Sequence, residues 1–330
     1  MQRFSIARTV ATVLATTAVF LATPAVHASP LVEAQALHAR LGGQAPAAGT
    51  RIIDIRDGKD EAGKTPYELG HLPGAVHAPY SQWRGPKDNP GKLPELSKLA
   101  QLIQRLGLER DTDVVLVYEG KDATDFGAAA RVYWTLKTAG LTKLSILNGG
   151  MKAWRAAGGA VTTDVPTVQA SSYQPTIDTR LVATREEVER AVAGGSAKLL
   201  DARPADFFEG DTRHAAAKVP GTIQGAKNVD NAVWFAKGGS ALLPAADVKR
   251  IAQQHGIAPA AADGPETVSF CNTGHWAATN WFVLSEVLGD RKVKMYPESM
   301  VEWSRAGLPM SNVPNRLKQL LIDMKLSSAK

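Results

Sequence analysis

The single cysteine of this 330-residue chain, Cys271, occupies the position that most strongly indicates chemistry. It follows the apolar run 267–270 and precedes the loop Asn272-Thr273-Gly274-His275-Trp276, after which Ala277 opens an alanine-rich helical pattern. A strand that enters a tight loop at a helix N-terminus aims several backbone N–H groups and the helix dipole at one point. Such a point stabilises a thiolate, the nucleophilic form of cysteine. The alternative interpretation is a small buried hydrophobe, since free cysteines are among the most buried residues.

The loop after Cys271 supplies most of the other candidate site residues. We expect the backbone amides of residues 272–277 to face the sulfur, while Asn272 and Thr273 shape the loop and bond a ligand. Gly274 accommodates a backbone conformation that a Cβ would forbid. An ordinary histidine pKa of about 6.5 would let His275 supply a proton or partial positive charge to a leaving group. Trp276 either lines an apolar cleft or belongs to the core.

Metals and organic cofactors are not expected at this loop. Cysteine and histidine four positions apart are compatible with half of a zinc site. The chain has no second cysteine, however, and no further histidine close to His275 in sequence.

The N-terminal 28 residues have the pattern of a secretory signal. Arg3 and Arg8 precede an apolar run at 9–22. Residues 26–28 then form a small-residue site of the kind that a signal peptidase accepts, ending at Ala28. This pattern predicts cleavage after about Ala28 and a periplasmic or secreted mature protein. A membrane anchor is the alternative, but the run is shorter than the ~20 residues that span a bilayer. In an oxidising compartment a lone cysteine is buried, dimerised or reactive.

The charge balance only weakly constrains the partners. The formal charge of +6 falls to +4 when Arg3 and Arg8 leave with the signal, and the basic residues are spread along the chain. This favours a small anionic substrate slightly, and the chain shows no nucleic-acid motif. About 300 mature residues exceed the usual size of one domain, so two domains are expected.

Four segments recur in the same order about 150 residues apart, which predicts an internal duplication. The matching pairs are 51–56 with 198–203, 70–75 with 221–226, 127–134 with 274–281, and 151–154 with 300–303.

The repeat divides the chain into domains at 31–160 and 178–313, with a linker at 161–177 and a tail at 314–330. In each half, short runs rich in Val, Ile and Leu alternate with helical stretches. Such alternation predicts an α/β fold in which a mostly parallel sheet is flanked by helices. Ligands bind beyond the carboxyl ends of strands in these sheets, and Cys271 stands at one such end.

The two halves differ where the nucleophile stands. Aligning strand ends places Tyr118 opposite Cys271, and the first half then inserts residues 119–125. Glu119, Asp122 and Asp125 in that insertion would repel an anionic donor. We therefore expect the first domain to be non-catalytic, to pack against the second and to form part of the cleft wall.

These motifs resemble the tandem rhodanese family, the thiosulfate and 3-mercaptopyruvate sulfurtransferases. The resemblance rests on Asp-x-Arg after the first strand, Gly-His-Leu-Pro-Gly-Ala at 70–75, Cys-x-x-Gly at 271–274 and the tryptophan helices. It implies a sulfurtransferase with a non-catalytic N-terminal copy and a persulfide on Cys271. The implied donors are thiosulfate, mercaptopyruvate or polysulfide, and the acceptor is cyanide or a thiol. A six-residue loop is similar to that of the sulfur-transferring members.

Two other function classes remain open. A cysteine phosphatase or arsenate reductase would use the same thiolate on a different substrate, and a carrier would bind sulfur for a partner enzyme without fast turnover.

The loop itself lacks the cationic side chains common in thiosulfate-using members, so positive charge must come from His275 or from outside the loop. Arg203, in the second Asp-x-Arg motif, either contacts substrate or forms a supporting ion pair with Asp201. Arg213, His214 and Lys218 are expected on the solvated surface.

The tail has Leu317, Leu320, Leu321 and Met324 at helical spacing, with lysines between them. This pattern predicts an amphipathic helix that packs on a domain, with a membrane surface as the alternative.

Overall fold

The computed structural model describes residues 29–257, 259 and 264–328, so the predicted signal peptide lies outside the described residues. The first half contains strands and helices in alternation. The strands are β1 (Leu31–Val32), β2 (Thr50–Asp54), β3 (Val76–His77), β4 (Asp113–Val117) and β5 (Leu144–Leu147); the helices are α1 (Ala34–Leu41), α2 (Leu96–Arg105), α3 (Ala123–Thr138) and α4 (Gly150–Ala156). All five strands pair in parallel in the order β1-β5-β4-β2-β3.

The second half repeats this arrangement. Its strands are β6 (Ala197–Asp201), β7 (Thr222–Ile223), β8 (Lys227–Asn228), β9 (Glu266–Phe270), β10 (Val293–Met295) and β11 (Met310–Ser311); its helices are α5 (Arg185–Gly194), α6 (Ala205–Phe208), α7 (Ala245–Gln254), α8 (Trp276–Phe282), α9 (Ser299–Ala306) and α10 (Arg316–Ser328). The parallel order is β10-β9-β6-β8, and β7 pairs antiparallel with β11. Val182 forms a parallel bridge with Met295 at one edge of the second sheet. This edge corresponds to the edge of the first sheet at which β1 pairs with β5. The predicted duplicated α/β fold is confirmed.

The central strands are buried on both faces, as their apolar sequences predict. In β4, Val114 and Leu116 face one apolar cluster, while Val115 and Val117 face another. Successive side chains of a strand point to opposite faces, so both faces of the sheet must be covered.

One of these clusters continues across both domains. The ring of Phe282 in α8 lies 5.0 Å from that of Tyr133 and 5.7 Å from that of Phe126, both in α3. Edge-to-face aromatic pairs at this spacing stabilise by about 1 kcal/mol beyond their buried area. This shared core brings the loops after β4 and β9 next to each other.

The segment between the domains lacks regular structure, since residues 163–178 form no helix or strand. It is tied to the first domain, because Ser171 donates to the Leu108 carbonyl and Tyr173 to that of Ala139.

The tail forms the predicted helix, α10, but the expected apolar contact is wrong. Leu317, Leu320, Leu321 and Met324 are exposed, and Ile322 is the buried apolar residue of this helix. The ion pair between Asp323 and Arg213 joins the helix to the second domain. The side of the helix that carries Ile322 and Asp323 therefore faces the domain, and the side with the leucines does not. Among the described residues, we find no helix with both the length and the apolar character needed to span a bilayer.

Candidate active site

The backbone of Cys271 is fixed between β9 and the start of α9. Its N–H donates to Ser299 Oγ over 3.0 Å, and its carbonyl accepts from the Met300 N–H over 3.0 Å. The next carbonyl, of Asn272, accepts from the Val301 N–H. The thiol is 1% exposed and contacts the apolar cluster shared by both domains.

Ser299 has an unusual backbone conformation for a non-glycine residue, with φ of 53°. The repeat places Gly150 at the same point of the first domain, where φ is 62°. A Cβ makes the left-handed region costly, by roughly 1–2 kcal/mol. The Ser299 hydroxyl offsets this cost, because it accepts from the Cys271 N–H and donates to the Tyr296 carbonyl over 2.7 Å.

The six backbone N–H groups from Asn272 to Ala277 have no hydrogen-bond acceptor among the described residues. Most of these residues are buried, and buried amides are nearly always paired in folded proteins. Consecutive unpaired amides that lead into a helix N-terminus form a binding site for an anion. We call these six amides the amide cradle.

Two arginines of the first domain hold the outer side of the loop. Arg84 Nη2 donates to the Thr273 carbonyl over 2.8 Å and to Thr273 Oγ1 over 3.0 Å. Arg131 Nη1 donates to the Gly274 carbonyl over 3.2 Å. Gly274 has φ of +67°, and a Cβ at this position would overlap the Arg131 guanidinium. The expected need for glycine therefore has a conformational and a steric cause.

The imidazole of His275 is bonded at both nitrogens to the first domain. Nε2 lies 2.7 Å from the Thr124 carbonyl, which only accepts, so Nε2 carries the proton. Nδ1 therefore accepts from the Tyr80 hydroxyl over 2.7 Å. Burial, followed by repulsion from Arg84, lowers the pKa of His275 to about 4. His275 is neutral at pH 7, so the expectation that it supplies positive charge is wrong.

Arg131 is a fully buried cation whose hydrogen-bond acceptors are all backbone carbonyls, those of Gly274, Gly91 and Lys92. Its guanidinium also lies 4.9 Å from the ring centre of Trp134. Burial, followed by repulsion from Arg84, lowers the pKa of Arg131 to about 9, so it remains charged at pH 7. Negative charge on Tyr80, on Glu298 and, as a smaller effect, on Cys271 acts in the opposite direction and raises this pKa. The positive charge near the loop thus comes from outside it.

Comparison with known proteins places this arrangement in a family. The rhodanese-like domain matches twice, at residues 33–157 and 184–306. The chain belongs to the rhodanese family.

Several named relatives of this rhodanese are thiosulfate sulfurtransferases, and one is named a sulfur carrier protein. It is 30% identical to a putative thiosulfate sulfurtransferase of Synechococcus elongatus, over 81% of each chain. It is 32% identical to a thiosulfate sulfurtransferase of Pseudomonas aeruginosa, over 72% of this chain and 83% of that one. SseA of Escherichia coli, a 3-mercaptopyruvate sulfotransferase of the rhodanese fold, superposes with a TM-score of 0.68 at 23% identity, covering 82% of this chain and 98% of SseA. The protein is a sulfurtransferase.

Arg203 of this rhodanese forms the ion pair with Asp201, which was one of the two roles expected for it. It is 1% exposed and donates to Asp201, while its Nη2 also donates to the Gly221 carbonyl over 2.8 Å. Arg203 Nη1 lies 3.3 Å from Asn272 Oδ1, so the pair supports the first residue of the loop after the cysteine. The first domain repeats the pair with Asp54 and Arg56.

Trp276 connects elements of both domains instead of belonging wholly to the core. Its indole N–H donates to Thr124 Oγ1 over 3.2 Å, and its ring lies edge-to-face with Phe207 at 5.7 Å. Ala277 is buried at the second position of α8. Arg213 pairs with Asp323 of the tail.

A cavity of about 310 Å³ reaches the loop from the first domain. Tyr80 and His275 form part of its wall, and Asp57, Lys121 and Asp125 line the side that belongs to the first domain. Ten of the eleven residues that line this cavity belong to the first domain, and Cys271 is not among them.

Sequence reasoning missed four residues at this site: Tyr80, Arg84, Arg131 and Ser299. One signal was available, because Arg131 interrupts the apolar face of a repeat segment in which its counterpart is Ala278. A charge within such a buried helix calls for a specific partner.

Proposed function

We propose that this sulfurtransferase moves sulfane sulfur from thiosulfate or a related donor to cyanide or a thiol, through a persulfide on Cys271. One observation supports this proposal above all others. The only cysteine of the chain directly precedes six backbone amides that have no acceptor within the described part of the structure, and these amides suit a sulfur anion.

The proposed cycle has two displacement steps. The Cys271 thiolate attacks the outer sulfur of thiosulfate, the S–S bond of the donor breaks, and sulfite leaves with the bonding electron pair. A Cys271–S–S⁻ persulfide forms, and its terminal anion is stabilised by the amide cradle. Cyanide then attacks the terminal sulfur, thiocyanate leaves, and the Cys271 thiolate is restored.

Access to the thiol is part of the proposal. Cys271 is 1% exposed, so a donor reaches its sulfur only after the loop or the two domains move. The cavity beside Tyr80 and His275 borders the loop on the first-domain side.

The test is intact mass spectrometry of the protein after incubation with thiosulfate, mercaptopyruvate or polysulfide in turn. We expect at least one donor to add one sulfur atom, and cyanide to remove it as thiocyanate. Cys271→Ser should add none and should lose transfer by about 10³-fold or more, with an unchanged circular dichroism spectrum. Transfer retained by Cys271→Ser would refute the assignment.

The same experiment separates the alternatives. A carrier would load sulfur stably but release it slowly to cyanide and faster to a partner protein. A phosphatase would hydrolyse an aryl phosphate and would not load sulfur from any donor.

A further inference from the structure

The catalytic loop is bonded to the first domain at four consecutive residues. Thr273, Gly274, His275 and Trp276 each contact a first-domain side chain or carbonyl through hydrogen bonds. These bonds join residues 143 to 195 positions apart in sequence. They link the domain without a nucleophile directly to the amide cradle.

We propose that Arg84 and Arg131 are positioning residues that orient the amide cradle and provide the positive charge for the sulfur anion on Cys271. This inference rests on the persulfide function proposed above.

The first argument is the geometry of the peptide unit. In a trans peptide the C=O and N–H of one unit point in opposite directions. Arg84 bonds the Thr273 carbonyl and Arg131 bonds the Gly274 carbonyl. The N–H groups that share those units, of Gly274 and His275, therefore point away from the arginines. Both N–H groups lack a protein acceptor in the described structure, which leaves them available to a bound anion.

The second argument is charge. Arg131 is fully buried and bonds only carbonyl oxygens, and its Nε has no partner in the described structure. A buried cation without a bonded carboxylate is unfavourable, because burial removes its hydration and no bonded counter-charge compensates. Arg84 adds a second positive charge close enough to repel it. An anion on the Cys271 side would relieve both costs.

The third argument is steric fit. Gly274 has no room for a Cβ because Arg131 Nη1 and the Pro297 carbonyl lie against it, so glycine at this position lets the guanidinium reach the loop. Gly91, whose carbonyl accepts from Arg131 over 2.7 Å, has no room for a Cβ because of the Pro297 carbonyl. Glycine at 91 therefore lets this first-domain segment approach the second domain while it accepts from Arg131.

The experiment compares Arg131→Gln, Arg131→Lys and Arg84→Gln with Arg105→Gln as the matched control. Arg105 is an exposed arginine of the first domain that bonds the side chain of Gln82. Two quantities are measured: the single-turnover rate of sulfur loading from thiosulfate, and the ratio of Cys271 alkylation rates with iodoacetate and iodoacetamide. The ratio reports local charge, because one reagent is an anion and the other is neutral.

We expect both glutamine variants to load sulfur about 10- to 100-fold more slowly, which is less than the roughly 10²- to 10³-fold effect of removing a direct donor of an anion site, because the arginines act through the loop carbonyls. The alkylation ratio should fall several-fold in both. Arg131→Lys should largely keep the ratio but load slowly, because lysine keeps the charge and loses the planar fork. Arg105→Gln should match the wild type in both measurements.

A merely structural role would change both alkylation rates by the same factor and leave the ratio unchanged, which would overturn the inference. If Arg131→Gln fails to fold, Arg131→Lys and Arg84→Gln decide by the same criteria. If the wild type loads no sulfur while the ratio still depends on the arginines, the proposed function fails and the positioning role stands. Full-rate loading by all variants would reject the positioning role alone.

Discussion

The loops after β4 and β9 stand at the same point of two duplicated domains, yet their amides have different partners. In the first domain, the N–H groups of Gly120 and Lys121 donate to Asp125 Oδ2 over 2.7 and 2.9 Å. In the second domain, the six amides after Cys271 have no acceptor in the described structure. In the loop after β4, the Asp125 carboxylate accepts from the amides, whereas in the loop after β9 the amides remain available to a bound anion.

The strand ends differ in the same sense. Tyr118 occupies the place of Cys271, and its hydroxyl donates to the Ser240 carbonyl of the second domain over 2.6 Å. Burial raises the pKa of Tyr118, so this group stays neutral. The first domain has no nucleophile here, and its side chains instead hold the loop of its partner domain. Under the proposed function, the chemistry lies in the second domain and the positioning of its loop depends on the first.

The largest effect should come from His275, whose counterpart in the first domain is Ala128. The folded-state pKa of about 4 lies below the unfolded value of about 6.5, so the unfolded chain binds more protons between them. Stability should therefore be lost as pH falls from about 6.5 towards 4, by up to roughly 3 kcal/mol. Urea unfolding at several pH values measures this loss.

His275→Gln is the matched control, because glutamine can bond both partners and does not titrate. Its stability should depend less on pH over the same interval. If the free energy of unfolding depends on pH equally in the variant and the wild type, titration of the His275 imidazole does not cause the loss of stability.

A smaller effect should follow substitution of Ser299, which stands where the first domain has Gly150. Ser299→Ala leaves the Cys271 N–H without an acceptor and should lower the free energy of unfolding by about 2 kcal/mol. Ser299→Gly loses the same bond but relieves the left-handed backbone, so it should be about 1 kcal/mol more stable than Ser299→Ala. Denaturant unfolding ranks the two variants, and the reverse order would contradict the strain argument.

The smallest effect should come from removing the Asp125 carboxylate from the loop after β4. Asp125→Ala unpairs the N–H groups of Gly120 and Lys121 and should destabilise by about 1 kcal/mol. Sulfate should then restore part of the loss by binding the vacated amides, which thermal unfolding with and without sulfate measures. Asp125→Asn keeps an acceptor oxygen and should respond less to sulfate. Equal responses of both variants and the wild type would show that the two loops do not share an anion-binding backbone.

Much of the site followed from local patterns in the chain. Apolar runs predicted β4 and β9, the repeat predicted two domains, and the glycine-containing loop after a strand predicted the amide cradle at Cys271. The roles of individual loop side chains were less predictable. His275 lost its expected charge because the first domain buries it, and Trp276 bonds Thr124 across the interface.

The sequence by itself determined the duplication, the strand-loop-helix unit around Cys271 and the resemblance to rhodaneses, because each depends on residues close together in the chain. Only the tertiary structure decided which cations serve the loop. Arg84 and Arg131 lie 189 and 143 positions before the loop residues they bond, so no local period connects them. Their contacts exist because α3 and α8 pack against each other in one core shared by both domains.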